Sequence, residues 1–211
     1  KMGLVQINGQ IITEMGFKVK YNDEVKYDGS RIQQSPPEYL LLNKPKGFVA
    51  TARGAKIKKS VQELISSGVK TKIPPIGDMG RPITGLLFFT SDEILRKKLN
   101  NSTSIPMIYQ VTLDQNITND MMKKLKEGQM IFDKMQKVNK ISNVDGKSKK
   151  EVGVEVHSIS PAILQKLFTS IGLKVIQMDR VVYGGLNKKD LPRGNWRKLS
   201  SKEIGFMKMF S

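Results

Sequence analysis

Two clusters of lysine and arginine carry the most evident chemistry in this chain. Residues 44–72 hold eight basic side chains against Glu63 alone, and residues 188–202 hold six against Asp190 alone. The whole chain has a formal net charge of +17. Because Lys and Arg release counterions when they neutralise phosphates, this excess favours a nucleic-acid partner over a membrane surface or a merely solvated lysine-rich face.

Few other side chains point to catalysis or to metal binding. Cysteine is absent, which excludes disulfides and cysteine metal sites. His157 is the only histidine, and a lone histidine at the end of a strand is more often structural than a ligand. No apolar run approaches the roughly 18 residues of a membrane helix, and the first residues do not form a signal-peptide pattern. We therefore expect no metal site and no membrane contact.

The pattern of turns predicts two units that position these residues. Short apolar runs flank Asn8-Gly9, which is a strong hairpin signal, and another strand and turn follow over residues 23–29. This part is too small for a core of its own, and Ser35-Pro36-Pro37 is typical of a linker. We expect a first unit over residues 1–34 and a second over residues 38–211.

Strands dominate the second unit, with a few helices between them. Capping-box spacing at Ser60 and Ser200, a cap at Asp92 and the Ser160-Pro161 pair each predict a helix start. Helices are expected over 60–66, 92–99, 119–127, 160–171 and after 200. Strands are expected over 39–43, 48–51, 84–91, 108–113, 129–142, 150–158 and 173–183. This pattern indicates an α+β fold with a mixed or antiparallel sheet and flanking helices.

Five segments of the second unit together resemble pseudouridine synthases that act on ribosomal RNA. They are residues 40–47 (LLLNKPKG), 76–92 (IGDMGRPITGLLFFTSD), 108–113 (IYQVTL), 179–186 (DRVVYGGL) and 191–197 (LPRGNWR). The last stretch looks like the branch that modifies large-subunit RNA. Residues 3–32 resemble the later part of a small RNA-binding module found before many of these enzymes, whose first helices would precede Lys1.

The resemblance implies isomerisation of uridine in RNA without a cofactor, by an Asp in a Gly-Arg-Leu-Asp segment. A basic residue on a helix pairs with that Asp, and a Tyr stacks on the flipped base, because the reacting atoms are buried in a stacked helix. Here Gly80 stands at the Asp position, Asp78 at the Arg position and Gln165 at the basic position, while Tyr109 is retained. Met107 stands where many relatives have Lys.

These departures predict a degenerate active site. Glycine supplies neither a nucleophile nor a base, and losing both charges together leaves no uncompensated buried charge. Gly80 is also a candidate for backbone angles that Asp tolerates poorly. Asp78 could be a relocated nucleophile, although two residues along a strand shift a group by roughly 6–7 Å. Tyr109 and Trp196 could each stack on RNA or fill the core.

We expect ribosomal RNA, from the large subunit, as the partner, with ribosomal proteins as further partners. The leading hypothesis is a non-catalytic RNA-binding protein in ribosome assembly or on the ribosome. The alternatives are an active synthase with a rearranged site and a protein-recruiting cleft. The compartment is the bacterial cytoplasm or an organelle. The residues expected to contact RNA are Lys44, Lys46, Arg53, Lys56, Lys58, Lys59, Arg81, Arg180, Lys188, Lys189, Arg193 and Arg197.

Overall fold

The computed structural model describes residues 4–20, 23–32, 36–51, 59–69 and 71–210. The chain divides into two compact units, Lys1–Pro37 and Glu38–Ser211. The division falls in the segment that contains Pro36 and Pro37. That the first unit is part of an RNA-binding module stays a prediction.

The first unit contains a four-stranded antiparallel sheet in the order β2-β1-β3-β4. Its strands are β1 (Val5–Ile7), β2 (Gln10–Ile11), β3 (Val25–Tyr27) and β4 (Ser30–Ile32). Asn8 and Gly9 have φ values of 51° and 84°, which are the left-handed angles that a two-residue hairpin turn needs. The predicted hairpin at Asn8-Gly9 is therefore confirmed.

The second unit is built on one eight-stranded mixed sheet, in the order β10-β11-β7-β12-β6-β5-β14, with β13 paired to β12. The pair of β12 and β6 is parallel, and the other pairs of this sheet are antiparallel. The strands are β5 (Tyr39–Lys44), β6 (Thr84–Thr90), β7 (Pro106–Leu113), β10 (Lys140–Asn143), β11 (Glu151–His157), β12 (Val175–Tyr183), β13 (Leu186–Asn187) and β14 (Trp196–Lys198). The α+β architecture with a mixed sheet is as the sequence predicts.

Five helices accompany the sheet in the described part of the chain. They are α1 (Val61–Ile65), α2 (Glu93–Asn101), α3 (Asn119–Glu127), α4 (Pro161–Ser170) and α5 (Ser201–Met209). Ser60 and Ser200 form the predicted capping boxes, so that the first free N–H groups of α1 and α5 have acceptors. None of the helices among these residues is long and apolar enough to cross a membrane.

Two predicted strands are wrong. Residues 48–51 form no strand, and Val49 makes only an isolated bridge to Ser60. Residues 129–142 are not one strand but a separate hairpin of β8 (Gln129–Ile131) and β9 (Lys134–Gln136), followed by β10. The turn of this hairpin is Phe132-Asp133, whose φ values are 49° and 58°. Phe-Asp is not a usual turn pair, so the sequence carries no signal for it.

The central strands β11, β7 and β12 present two different faces. On β7, Tyr109 and Val111 are buried, and their cross-strand partners Val154 and Met178 are buried with them. The opposite side of the same strands carries Gln110 and Thr112 of β7 with their partners Asp179 and Gln177. We call these the apolar face and the polar face. Leu164, Leu167 and Phe168 of α4 belong to the same core as the apolar face.

Candidate functional site

A row of residues crosses four strands on the apolar face. Lys44 pairs with Gly85, Gly85 with Arg180, and Arg180 with Tyr109. Direct cross-strand partners point to the same side of a sheet. Gly85 has no side chain, and a Cβ there would lie 2.2 Å from the carbonyl oxygen of Arg180. The side chains of Lys44 and Arg180 therefore lie on the same face, on either side of this glycine.

The side chain of Lys44 on β5 forms hydrogen bonds with the loop that carries Gly80. Its side chain is fully buried, and its Nζ donates to the carbonyls of Ile83 at 2.5 Å, Gly80 at 3.0 Å and Pro45 at 3.4 Å. Burial, together with the charges of Arg180 and Arg193, lowers the pKa of Lys44 to about 8. The expectation that Lys44 contacts RNA is wrong for this structure, because its ammonium is enclosed by backbone carbonyls.

Arg180 is also buried, with 3% of the residue exposed. Its Nε donates to the carbonyl of Leu86 at 2.7 Å, its Nη1 contacts the Tyr109 hydroxyl at 3.4 Å, and its guanidinium lies over the Tyr183 ring. Its Nη2 is buried and has no hydrogen-bond partner among the described residues. Arg180 is therefore not on the outer surface where the sequence led us to expect an RNA contact.

A cavity of about 180 Å³ lies beside this row. Arg180 and Tyr183 line it together with Asp78, Asn100 at the end of α2 and Ser158–Pro161 at the start of α4. The carboxylate of Asp78 accepts from the Thr51 hydroxyl at 2.5 Å and from the Met79 N–H at 2.9 Å. The arrangement places a carboxylate, a guanidinium and an aromatic ring around one cleft.

The positions expected to be degenerate do not all meet in this cavity. Gly80 is exposed, its φ is not positive, and a Cβ there would meet nothing closer than Pro82 Cδ at 3.7 Å. The expectation that its backbone disfavours Asp is therefore wrong. Gln165 lies in the second turn of α4 and, within the described chain, is absent from the lining of the Asp78 cavity. Tyr109 is fully buried, so it fills the core here.

Comparison with known proteins decides the family. A profile described as RNA pseudouridylate synthase matches residues 38–170. This range covers most of the second unit, including Lys44, Gly85 and Tyr109 of the row and much of the cavity lining, and it ends before Arg180. The chain belongs to the RNA pseudouridylate synthase family.

Several family members are similar over nearly the whole chain. Ribosomal large subunit pseudouridine synthase B of Bacillus subtilis is 27% identical over 208 residues, which are 97% of this chain and 85% of that protein. Ribosomal small subunit pseudouridine synthase A of Escherichia coli is 24% identical, over 95% of this chain and 87% of that protein. The crystal structure of a pseudouridylate synthase has a TM-score of 0.70 at 20% identity, covering 97% and 89% of the two chains, and shows the shared fold.

Nine of the basic residues that we expected to contact RNA fall into three groups. Exposed in the described chain are Lys46, Lys59, Arg81 and Lys189. The first three lie on neighbouring segments, since the Gly47 N–H donates to the Arg81 carbonyl and the Val49 N–H to the Lys59 carbonyl. A second group lies on or beside the polar face and comprises Lys188 and Arg193. The third group, Arg53, Lys56 and Lys58, lies outside the described residues.

Three of the predicted cations have carboxylate partners. Arg197 makes two hydrogen bonds to Glu203, at 2.6 and 2.8 Å, and these bonds lower the pKa of Glu203 to about 2. Arg193 donates to Asp179 Oδ1 at 2.7 Å, to which Thr84 also donates, and Lys188 binds Asp179 Oδ2. Sequence reasoning missed Asp179. Its signal is the one carboxylate of a strand that is apolar apart from Gln177, Asp179 and Arg180.

The side chain of Trp196 has contacts with the core of the second unit. The Trp196 ring lies against Gly68 and packs on the core, so of the two alternatives the structure favours a core role. Across the described ranges, no three His, Cys, Asp or Glu side chains come together as a possible metal site.

Proposed function

We propose that this member of the pseudouridylate synthase family binds ribosomal RNA without isomerising uridine. The observation that carries the proposal is Gly80, which stands at the position of the family's catalytic Asp and offers no functional group. The space beside its backbone is open, so the absence of a side chain there is not imposed by packing.

RNA binding itself is supported by charge and by relatives. The net charge is +17, and Lys46, Lys59 and Arg81 are exposed on neighbouring segments near the cavity. The Bacillus subtilis relative is named for the large ribosomal subunit and the Escherichia coli relative for the small one. We infer that large-subunit RNA is the partner, because residues 179–186 and 191–197 resemble that branch. Because ribosomal RNA is part of ribosomal particles, we also infer that the protein acts in ribosome assembly or as a ribosome-associated factor.

An active synthase with a rearranged site is the second candidate. It is favoured by the family, whose named relatives are synthases, and by Asp78, whose carboxylate lines the same cavity as Arg180 and Tyr183. In that case Asp78 would serve as the nucleophile or base. The hydrogen bonds from the Thr51 hydroxyl and the Met79 N–H fix the orientation of this carboxylate.

Pseudouridine formation on deproteinised large- and small-subunit RNA and on immature subunits separates the two candidates. The variants are wild type, Asp78→Asn and, as a matched control, Asp145→Asn in an exposed turn. We expect no site above the no-protein control for any of them. If wild type and Asp145→Asn form pseudouridine and Asp78→Asn forms none, the second candidate is established. Product that survives Asp78→Asn would contradict both assignments.

A further inference from the structure

The polar face of the central strands is accessible to solvent. Gln110 and Thr112 of β7 are half-buried, Gln177 of β12 is exposed, and a Cβ at Gly153 of β11 would meet nothing within 4 Å. Within the described chain, no side-chain hydrogen bond engages Gln110 or Gln177. Each amide therefore has a free donor and a free acceptor.

The carboxylates of this face are already committed to protein groups. Asp179 accepts from Thr84, Arg193 and Lys188, and Glu151 accepts from the Thr112 hydroxyl at 2.9 Å. The cavity that these residues enclose has a volume of about 330 Å³. The three cations around this cavity, Lys147, Lys188 and Arg193, exceed the two carboxylates by one positive charge.

Three cations border that cavity. Lys147 reaches it from the turn between β10 and β11, and Lys188 and Arg193 reach it from the segment after β13. Arg193 uses only Nη1 for Asn43, Lys44 and Asp179, so its Nη2 and Nε have no partner among the described residues. The Lys147 ammonium likewise has none in that part of the chain. The rim offers donors suited to phosphate, and the floor offers amides suited to base edges.

We propose that the polar face binds an unpaired segment of RNA, with backbone phosphates at Lys147, Lys188 and Arg193 and base edges at Gln110 and Gln177. This inference rests on the proposed function, since it requires RNA binding, and it adds a second contact surface. Asp78 and the row from Lys44 to Tyr109 belong to the apolar face, so the two surfaces lie on opposite sides of the sheet.

An unpaired segment fits better than a duplex. In A-form RNA the major groove is too deep and narrow for side chains to read, and proteins recognise the shallow minor groove mostly through its shape and 2′-hydroxyls. Splayed bases of a single strand present their edges to donors and acceptors such as those of Gln110 and Gln177. The face offers no aromatic ring at these positions, so hydrogen bonds rather than stacking would hold the bases.

The test introduces carboxylates on the floor and leaves the Asp179 ion pairs in place. The double variant Gln110→Glu and Gln177→Glu is compared with Gln136→Glu, the same change on the β8–β9 hairpin. Affinity for a short single-stranded oligouridine should fall by about tenfold in the double variant, because two carboxylates remove the amide donors and lower the positive potential of the cavity. The control variant should keep the affinity of wild type. Affinity for a duplex of equal length should change little in either.

Cross-linking of bound large-subunit RNA, read out by mass spectrometry, locates the contact directly. Cross-links at Lys147 or Lys188 support the inference. If RNA binds but the double variant matches wild type while Lys46→Glu loses affinity, the inference is overturned and the proposed function remains. If the wild-type chain binds no RNA at low salt, the proposed function itself is overturned. Loss of a ribosomal protein's binding, without loss of RNA binding, would assign the face to protein instead.

Discussion

Asp179 shows how one side chain can connect three parts of the second unit. It lies on β12, accepts from Thr84 on β6, and pairs with Arg193, which also bonds the Asn43 side chain on β5. Burial alone would raise its pKa, but the hydrogen bonds from Arg193, Lys188 and Thr84 outweigh burial and lower the pKa to about 2. A carboxylate with a lowered pKa stabilises the fold in its charged form.

Asp179→Asn should therefore destabilise the protein at neutral pH by about 2–3 kcal/mol, because two cations lose a buried partner while each keeps some access to water. The folded pKa lies below the ordinary value of 3.8, so this contribution is complete above about pH 5 and is lost as the pH falls towards 2. Urea unfolding at pH 7 and pH 3 should show a smaller difference between variant and wild type at pH 3. Asp145→Asn, in an exposed turn, is the control. An equal difference at both pH values would contradict the lowered pKa.

Gly80→Asp tests the vacant catalytic position. The open space and ordinary φ at Gly80 predict a normally folded variant, with a melting temperature close to wild type. We nevertheless expect no pseudouridine from this change alone, since Gln165 supplies no cation and the Lys44 ammonium is occupied by three carbonyls. Detectable turnover should need Gly80→Asp together with Gln165→Arg and Asp78→Arg. Equal yields from the single and triple variants on the same RNA would refute the idea of coupled losses.

At the site, the sequence predicted which residue types stand at the family's positions better than it predicted their burial and contacts. Residue types alone located Gly80, Asp78 and Tyr109 within the family's pattern. They did not reveal that Lys44 and Arg180 are buried, because a basic residue in a strand gives no sign of what covers its face. Strand pairing and the loop carbonyls that enclose Lys44 are long-range features, separated by 36 and 39 residues for Gly80 and Ile83.

Among the elements, β14 is held by an unusually close contact to the turn after α1. A Cβ at Gly68 would lie 1.8 Å from the Trp196 ring. Glycine is therefore needed at this position for space, since its φ is not positive. The ring anchors β14 against the core, next to the strand β5 that carries Lys44.

Gly68→Ala should displace the ring and destabilise the protein by about 1–3 kcal/mol, the usual effect of overpacking. Trp196 is the only tryptophan, so its fluorescence reports the displacement directly. The matched change Gly205→Ala lies inside α5 with nothing within 4 Å of the new Cβ, and it should stabilise by about 0.5–1 kcal/mol. An unchanged emission spectrum and stability in Gly68→Ala would contradict the contact.

Elements with local signals were predicted well, and elements without them were not. Ser60, Ser200 and Asn8-Gly9 carry the capping and turn chemistry that determines their own helices and hairpin. The turn at Phe132-Asp133 carries none, and residues 48–51 have strand-like composition but only one bridging partner. Strand formation depends on a partner elsewhere in the chain, which the sequence of one segment does not show.

On the scale of the whole molecule, charge determines how RNA binding responds to salt. We call the exposed cations on neighbouring segments, Lys46, Lys59 and Arg81, the first surface. Lys189 is also exposed, and the polar face adds Lys147, Lys188 and Arg193. Binding to single-stranded RNA that neutralises about four to seven phosphates should give a slope of log affinity against log salt of roughly −3 to −5. Titrations from low to moderate KCl measure this slope.

Each substitution that removes one cation should reduce the magnitude of the slope of log affinity against log salt by a similar amount. Lys46→Ala and Lys147→Ala should each reduce its magnitude by about 0.7 on single-stranded RNA, since each variant neutralises one phosphate fewer, whatever the RNA sequence. Lys98→Ala, an exposed lysine on α2 outside both surfaces, should leave the slope unchanged. If both surfaces engage one RNA, the two reductions should add in the double variant, because sites on opposite faces do not share a partner. A flat wild-type slope would contradict electrostatic RNA binding, and a reduction from Lys46→Ala alone would confine the RNA to the cleft side of the sheet.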